Sequence, residues 1–168
     1  MFGNRERRAA EFTAFVRASS RYLSRTAYLL TGSQHLADDL VQEALTRTYA
    51  SWDRVRPAEA LGYARRVLVN LNVDRHRRPE PIPTEWPDRV DPRDAQSVSD
   101  DRDEATRLLA GLTPQQRRIV VLRYFDDYTE AQTAACLGIS VGTVKSTCSR
   151  ALAQLRAHYT PSLEGDQR

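Results

Sequence analysis

The chain has 168 residues, of which 25 are Lys or Arg, 22 are Asp or Glu, and 40% are hydrophobic. This size suits one or two small domains and excludes a large multidomain enzyme. The longest aliphatic run, Ile119 to Leu122, is far shorter than the roughly 20 apolar residues of a membrane-spanning helix. No apolar stretch follows Arg5, Arg7 and Arg8 as it would in a secretory signal. We therefore expect no membrane insertion and a cytoplasmic location.

The net charge of +3 conceals three segments of alternating sign. Residues 1–78 carry a charge of +6, residues 79–104 carry −6, and the remainder carries +3. The middle segment also holds five of the eight prolines and few aliphatic residues. Proline favours an extended path and neighbouring carboxylates repel one another. We predict two basic modules, residues 1–78 and 105–160, joined by the acidic linker 79–104, which is either a stretched tether or a merely solvated spacer.

Helical periodicity describes the first module. Apolar residues recur every three or four positions from Phe12 to Leu30, and Gly32 follows as a stop. Ser33 is suited to cap a second helix. Its predicted apolar face comprises Leu36, Leu40, Val41, Ala44, Leu45 and Trp52. Pro57 suits the first turn of a third helix. The polar remainder of that helix comprises Arg65, Arg66, Asn70, Asn72, Arg75, Arg77 and Arg78.

Two capping boxes organise the second module. After a helix from Ala105 to Leu112, the sequences that begin at Thr113 and Thr129 each place a glutamine three residues later. Gly138 ends one helix and Ser140 caps the next, which predicts a helix-turn-helix with its second helix in the major groove of DNA. The exposed face offered to DNA comprises Thr143, Lys145, Ser146, Ser149 and Arg150. The fold class is therefore all-α, with two small helical domains.

Three segments resemble the short bacterial sigma factors of the extracytoplasmic-function group, in that family's order and with its linker between them. Residues 36–44, LADDLVQEA, look like its docking segment for core RNA polymerase. Residues 65–78, RRVLVNLNVDRHRR, resemble its −10 promoter-reading helix, and residues 141–146, VGTVKS, resemble its −35-reading helix. The resemblance covers roughly residues 12–78 and 105–155 and is typical of an actinobacterial subgroup.

The resemblance implies a dissociable, non-catalytic subunit of RNA polymerase. It would bind core polymerase at two places, the coiled coil of the largest polymerase subunit and the polymerase flap region. The resemblance also implies recognition of two promoter elements and help in opening the DNA. The implied polymerase-binding residues are Asp38, Asp39, Gln42 and Glu43. The implied −10 residues are Asp53, Arg54, Val55, Arg56, Arg65, Arg66, Asn70, Arg75, Arg77 and Arg78, with Asn70 beneath a flipped base. The implied −35 residues are Thr143, Lys145, Ser146, Ser149 and Arg150.

Other functions explain less of the chain. A plain helix-turn-helix regulator leaves the first module without a purpose. A metal site at His35, Asp38 and Asp39 lacks a third ligand on one helix face, and no phosphate loop or zinc pattern occurs. We therefore expect no cofactor and no metal.

Cys136 and Cys148 are the two cysteines of the chain, and both fall in the second module. Both occupy apolar helix positions, so we expect reduced, buried thiols, with a redox switch as the alternative. Few residues flank the two modules, so we expect control from outside, through an anti-sigma factor or through expression.

Overall fold

The computed structural model describes residues 2–77 and 99–159, which form helices and connecting turns. Helix α1 spans Phe2–Thr31, α2 spans Gln34–Ala50 and α3 spans Ala60–Arg77. Short 3₁₀ turns, Trp52–Arg54 and Pro57–Glu59, join α2 to α3. The second module contains α4 (Ser99–Ala110), α5 (Pro114–Val120), α6 (Glu130–Leu137) and α7 (Val141–Tyr159). The all-α prediction is confirmed for these residues.

Helix α1 begins ten residues earlier than predicted, because its arginine-rich start is anchored to α2. The Arg8 guanidinium donates a hydrogen bond of 2.7 Å to the Tyr49 carbonyl and stacks over the Tyr49 ring, 4.7 Å from its centroid. Apolar periodicity could not reveal this extension, since the contacts come from a cation. The predicted end of the helix is confirmed, because Gly32 follows it with a φ of +69°.

The predicted caps are present. The Ser33 hydroxyl accepts from the Leu36 amide at the start of α2. Reciprocal capping boxes open α5 at Thr113 and α6 at Thr129, and Gly138 ends α6 at a φ of +65°. Each box satisfies amide groups that a helix start leaves without an intrahelical partner.

The predicted apolar face of α2 needs a correction at Leu36. Its side chain is 44% exposed, whereas Leu40 and Ala44 are fully buried. Trp52, also assigned to that face, is buried from the following 3₁₀ turn instead.

Helix α4 also departs from the prediction, because it begins at Ser99, inside the segment assigned to the linker. The last proline of that segment is Pro92, so no ring interrupts a helix from Ser99 onward. Helix α4 packs against α1 and buries Leu109. The rest of the predicted linker, from residue 79 to residue 98, lies outside the described residues.

Helix α5 continues through Phe125, as predicted, but its end is wound differently. Residues Val121–Phe125 form a π-helical turn, and Asp127 follows with a φ of +55°. The turn buries Val121 and Leu122 completely. Asp126 directly follows the turn and is buried as well.

The two modules share one apolar core. A continuous cluster of buried side chains joins Leu23 of α1, Leu40 of α2 and Leu68 of α3 to Val121 and Leu122 of the second module. The charge pattern predicted two separate basic modules, yet helices α1 and α3 pack against the second module. A smaller cluster stabilises the helix-turn-helix and comprises Ile119, Ala134, Val144 and Cys148.

Candidate polymerase and nucleic-acid interfaces

The first half of α2 presents the predicted docking residues to solvent. Asp38 and Gln42 are exposed, and Asp39 is half-exposed. The Gln34 amide donates to Asp38 at 2.7 Å, and the His35 ring lies 3.9 Å from the Asp39 carboxylate. Both contacts join residues four apart on an exposed helix surface. Exposed contacts of this kind contribute little stability, so these acceptors can exchange partners at low cost.

Glu43 is held more firmly than the other docking residues. One carboxylate oxygen lies 2.6 Å from the Arg47 guanidinium, and the other lies 3.8 Å from Arg75 of α3. Glu43 therefore links the predicted polymerase-binding face to the last turn of the predicted −10 helix.

An apolar groove of about 420 Å³ runs beside this face, between α1 and α2. Gln42 of the predicted docking set contributes to its rim. The full lining is Ala9, Phe12, Thr13, Val16, Gln42, Leu45, Thr46 and Tyr49.

The predicted base-capture loop lies between α2 and α3. Asp53 is 3.2 Å from Arg8 of α1, and Arg56 is 3.8 Å from Glu59. Arg54 is exposed, whereas Val55 is half-buried. The loop is therefore tied to α1 by an ion pair and keeps two guanidinium groups at the surface.

An aromatic cluster supports the base of this loop. The Trp52 ring meets Phe12 edge-on at a centroid distance of 5.0 Å and lies 5.1 Å from Phe15. Phe12 also packs 4.8 Å from Tyr49. Aromatic pairs at such distances add about 0.5–1.5 kcal/mol each beyond burial, so the loop rests on a rigid base.

Three predicted −10 residues share the outer face of α3. Arg66, Asn70 and Arg77 are all exposed, and positions separated by four and seven residues stack along one side of a helix. Arg75 is half-buried and faces Glu43. Arg78 lies outside the described residues.

Arg65 is the exception among the predicted phosphate contacts. Its residue is only 8% exposed, because position 65 faces the second module rather than the outer surface. The guanidinium lies 5.0 Å from the Tyr22 ring centroid and 5.3 Å from that of Tyr128. The prediction that Arg65 contacts DNA phosphates does not hold in this arrangement of the modules.

Asp126 is the carboxylate that faces Arg65. Arg65 Nε lies 3.8 Å from Asp126 Oδ2, and neither of these buried atoms has a hydrogen-bond partner. The other carboxylate oxygen accepts a 2.9 Å hydrogen bond from the Thr26 hydroxyl of α1. Burial raises the pKa of Asp126, against the opposing attraction of Arg65, the Thr26 hydrogen bond and Arg25.

A second buried polar contact joins the modules. Arg118 Nε donates to Asn72 Oδ1 at 2.8 Å, and its Nη2 donates to the Asn72 carbonyl at 3.2 Å. Burial lowers the pKa of Arg118, and the nearby positive charge of Arg77 adds to this effect. Asn72 was predicted on the polar face of α3, whereas the roles of Arg118 and Asp126 were not predicted from the sequence. The available signal was the seven-residue spacing of Arg65 and Asn72, which places both on one helix face.

Helix α7 presents all five predicted −35 residues on the half opposite its buried side. Lys145, Ser146, Ser149 and Arg150 are exposed, and Thr143 is half-exposed. The buried half of the same helix comprises Val144, Thr147, Cys148 and Ala151.

Neighbouring side chains orient the two cations of that face. Lys145 lies 3.6 Å from Glu130 at the start of α6. Arg150 donates to the Ser146 carbonyl and to the Thr147 hydroxyl, both at 3.3 Å. Both cations keep donors that can turn to phosphate oxygens or base edges.

The two cysteines are free and buried. Burial raises the pKa of the Cys136 thiol. A raised pKa disfavours the reactive thiolate, which suits a packing role for Cys136. Within residues 2–77 and 99–159, no group of three His, Cys, Asp or Glu side chains could hold a metal ion, and no helix is long and apolar enough to cross a membrane.

Two family models match successive parts of the chain. Residues 15–80 match sigma-70 region 2, and residues 102–155 match sigma-70 region 4. The RNA polymerase sigma-E factor of Streptomyces avermitilis is 42% identical over 151 residues, which cover 87% of this chain and 83% of that protein. The ECF RNA polymerase sigma factor SigM of Mycobacterium tuberculosis is 34% identical over 146 residues, which cover 86% and 74%.

Solved structures show the same fold. The sigma factor RpoE of Bartonella quintana, in complex with the anti-sigma factor NepR, aligns with a TM-score of 0.65 at 24% identity, over 93% of this chain and 98% of that one. CnrH, in complex with the cytosolic domain of CnrY, aligns with a TM-score of 0.63 at 22% identity, over 93% and 89%.

The chain belongs to the RNA polymerase sigma factors of the sigma-70 family, with region 2 followed by region 4. Among its relatives are an RNA polymerase sigma-E factor of Streptomyces and ECF RNA polymerase sigma factors of Mycolicibacterium and Mycobacterium, and its function is promoter-specific transcription initiation. Region 2 fits −10 recognition and region 4 fits −35 recognition. A plain helix-turn-helix regulator would not account for the first module, whereas the match to region 2 does.

The raised pKa of Asp126 leads to a prediction about pH. A carboxyl whose pKa is higher in the folded than in the unfolded state binds protons more tightly when folded, so stability rises as pH falls through the folded value. This gain in stability is complete below pH 3.8, the pKa of an aspartate in the unfolded chain. The Asp126→Asn substitution keeps a hydrogen-bond acceptor for the Thr26 hydroxyl but removes the carboxyl group that binds the proton. We expect the free energy of unfolding of the parent, relative to this variant, to increase from pH 7 to pH 4 in urea titrations.

The neighbouring exposed residue supplies a control for this measurement. Asp127→Asn removes the same charge one position away, at a φ of +55° that asparagine tolerates. Because the Asp127 charge contributes to the raised pKa of Asp126, Asp127→Asn should reduce the pH-dependent gain in stability without abolishing it. Parallel profiles for the parent and Asp126→Asn would contradict a raised pKa at Asp126.

Proposed function

We propose that this sigma factor binds core polymerase through the α2 face that holds Asp38, Asp39, Gln42 and Glu43. The observation that carries the proposal is the joint exposure of these residues beside an apolar groove. A basic coiled coil of the largest polymerase subunit would meet carboxylates and an amide there. Its apolar side chains would meet the groove. Charge pairs of this kind chiefly provide orientation and specificity, so the groove would supply much of the affinity.

Glu43 would change partners on docking. In the free protein its carboxylate is shared between Arg47 and Arg75. A basic partner that binds Glu43 competes with Arg75, which stands in the last turn of α3. Release of Arg75 would add one positive charge to the DNA-facing surface when polymerase binds.

We propose that the outer face of α3 reads the −10 element. Arg66 and Arg77 would bind phosphates, and the amide of Asn70, between them along the helix, would hold a base turned out of the stack. The loop that holds Asp53, Arg54, Val55 and Arg56 would close over that base. Its rigid aromatic base supports this role, because an extruded base needs a pocket that is already formed.

We propose that α7 reads the −35 element from the major groove, with Lys145 and Arg150 as its cations and Thr143, Ser146 and Ser149 as its hydroxyl donors. The rest of the region 4 module would contact the polymerase flap. The limits of the DNA- and polymerase-binding domains, residues 1–78 and 105–160, belong to this proposal.

We further propose that the protein works in the cytoplasm as a non-catalytic subunit, because its partners would be core polymerase and promoter DNA. An anti-sigma factor is the external regulator that we propose. The RpoE and CnrH structures, which share this fold, contain NepR and CnrY.

The docking proposal predicts the effect of charge reversal. Asp39→Lys with Glu43→Lys places two cations against a basic partner and should weaken binding to core polymerase about tenfold or more. Co-purification with core polymerase in the absence of DNA measures the effect, and circular dichroism should show unchanged helix content. Glu11→Lys with Glu104→Lys is the matched control, because both residues are exposed and lie outside α2. Equal binding by the two double variants would rule out this docking face.

The −35 proposal predicts the effect of removing Arg150. Arg150→Ala should cost about 1–3 kcal/mol of binding and relax selectivity at one position if the side chain reads a base. Loss of a phosphate contact should instead weaken all sequences evenly and reduce the salt dependence. Binding to a set of single-base −35 variants distinguishes these results. Arg17→Ala, at an exposed position of α1, should leave −35 binding unchanged.

The −10 proposal predicts a defect in melting. Asn70→Ala should lower open-complex formation on duplex promoter, because a captured base loses hydrogen bonds that duplex DNA never offers. Permanganate reactivity of −10 thymines measures the opening, and a pre-melted bubble should restore part of the loss. Asp74→Ala, one turn further along α3 and exposed, is the control. Normal opening by Asn70→Ala would remove Asn70 from the base-capture site.

A further inference from the structure

Arg8 of α1 lies where α2 ends and where residues 53–56, the −10 loop, begin. Its Nη2 donates a hydrogen bond of 2.7 Å to the Tyr49 carbonyl, and its Nη1 lies 3.2 Å from Asp53 Oδ2. The guanidinium carbon also lies 4.7 Å from the centroid of the Tyr49 ring. One side chain therefore connects α1, the last turn of α2 and the first residue of the −10 loop.

The chemistry of an arginine suits this position. Tyr49 stands in the last turn of α2, where a carbonyl has no amide partner four residues later in the helix and where a cation interacts favourably with the helix dipole. A guanidinium is a planar fork that can meet two acceptors while its face lies on an aromatic ring. A lysine ammonium carries the same charge but lacks this fork.

The ion pair with Asp53 differs from an ordinary surface pair. Exposed pairs contribute little, because two long side chains must be ordered to form them. The Arg8 side chain is only 29% exposed and is already held by the Tyr49 carbonyl and ring, whereas the Asp53 side chain is 69% exposed. The loop carboxylate thus meets a cation whose position is fixed by other contacts. Trp52, the preceding residue, is packed against Phe12 from below.

We propose that Arg8 is a positioning residue for base selection in the −10 element. This inference rests on the proposed function, because it takes the −10 loop as the segment that closes over an extruded base. Arg8 would hold the start of the loop in the conformation that receives the base, and its charge would offset the Asp53 carboxylate beside DNA phosphates. Arg8 lies outside residues 15–80, the part of the chain that matches region 2.

The order of the loop matters more for choosing a base than for binding DNA in general. Groups that recognise a ligand must be held within about 0.5 Å of their productive positions by supporting contacts. A loop that is ordered beforehand also loses less conformational entropy when it closes. Without Arg8 the loop would close less accurately, and the differences in affinity between the four bases would shrink.

Base selectivity tests this role directly. Holoenzyme is bound to pre-melted −10 templates that carry each of the four bases at the captured position, and the ratio of affinities for the best and the other bases is measured. Arg8→Ala should lower this ratio about fivefold, and Arg8→Lys, which keeps the charge, should recover part of it. The ratio compares bases within one holoenzyme, so it does not depend on the amount of polymerase bound.

Arg7→Ala is the matched control for this measurement. Arg7 is the neighbouring arginine of α1, its side chain is 74% exposed, and it lies 3.5 Å from Glu11 rather than near the loop. The substitution removes the same positive charge from the same helix turn, and it should leave the ratio at the parent value. Equal ratios for Arg8→Ala and the parent would overturn the positioning role.

A double-mutant cycle tests whether Arg8 acts through Asp53. If Arg8 positions the loop through this carboxylate, Arg8→Ala should change the ratio about twofold or less in an Asp53→Ala background, against about fivefold in the parent. The same fivefold change in both backgrounds would mean that Arg8 acts independently of the loop carboxylate, and the proposal would be wrong.

Hydrogen exchange in the free protein tests the order of the loop without DNA or polymerase. The Arg54 amide donates to the Ser51 carbonyl at 2.9 Å, and the Val55 amide donates to the Trp52 carbonyl at 3.2 Å. Both amides should exchange about threefold faster or more in Arg8→Ala, because exchange reports local opening, and at the parent rate in Arg7→Ala. Unchanged exchange in Arg8→Ala would contradict the proposed hold on the loop.

A loop variant separates this inference from the proposed function. Arg54→Gly, Val55→Gly and Arg56→Gly together remove the side chains of the loop while Arg8 and Asp53 stay in place. If this triple variant keeps the parent ratio, the proposed −10 role of the loop fails, and the role of Arg8 fails with it. If the triple variant loses selectivity but Arg8→Ala does not, the function of the loop stands and only the positioning role of Arg8 is wrong.

Discussion

The buried contact between Arg65 and Asp126 is the constraint on which the arrangement of the whole chain depends. The carboxylate takes a hydrogen bond from Thr26 of α1 and faces the guanidinium from α3. One side chain that follows the π-helical turn therefore contacts two helices of the first module. The apolar cluster around it supplies the favourable free energy of packing, since burial of apolar area is the dominant favourable term. The two charged groups lie within the surfaces that meet.

Because of this contact, the two faces of α3 have different surroundings. Successive residues on a helix point about 100° apart, so Arg65 and Arg66 cannot share one environment. Arg65 meets the second module, while Arg66 stands in solvent with Asn70 and Arg77. The same helix therefore provides both a packing surface for region 4 and a basic surface for nucleic acid.

A similar sharing of charge occurs on α2. Basic side chains of the same protein partly neutralise its acidic face. The clearest case is Glu43, whose two carboxylate oxygens lie near Arg47 and Arg75. These groups are partly exposed, so their interactions are screened by water and salt and contribute little stability. Such pairs are easily exchanged, which suits a surface that must accept a large partner and release it. The apolar groove beside it does not depend on salt in the same way.

The sequence by itself determined the features that depend on neighbours a few positions away. The helix caps at Ser33, Thr113 and Thr129, the turn at Gly138 and the exposed arc of α7 follow from local hydrogen bonds and helical spacing, and the structure contains all of them. Such features need no knowledge of distant residues.

Only the tertiary structure decided the features that depend on residues far apart in the chain. The burial of Arg65 depends on Asp126, 61 positions away, and Arg118 meets Asn72 across 46 positions. The early start of α1 depends on Arg8 reaching Tyr49. An arginine on a basic helix has the same local pattern whether it faces solvent or a buried carboxylate. Which of these it faces is decided when the two modules pack, because only then does water leave the contact.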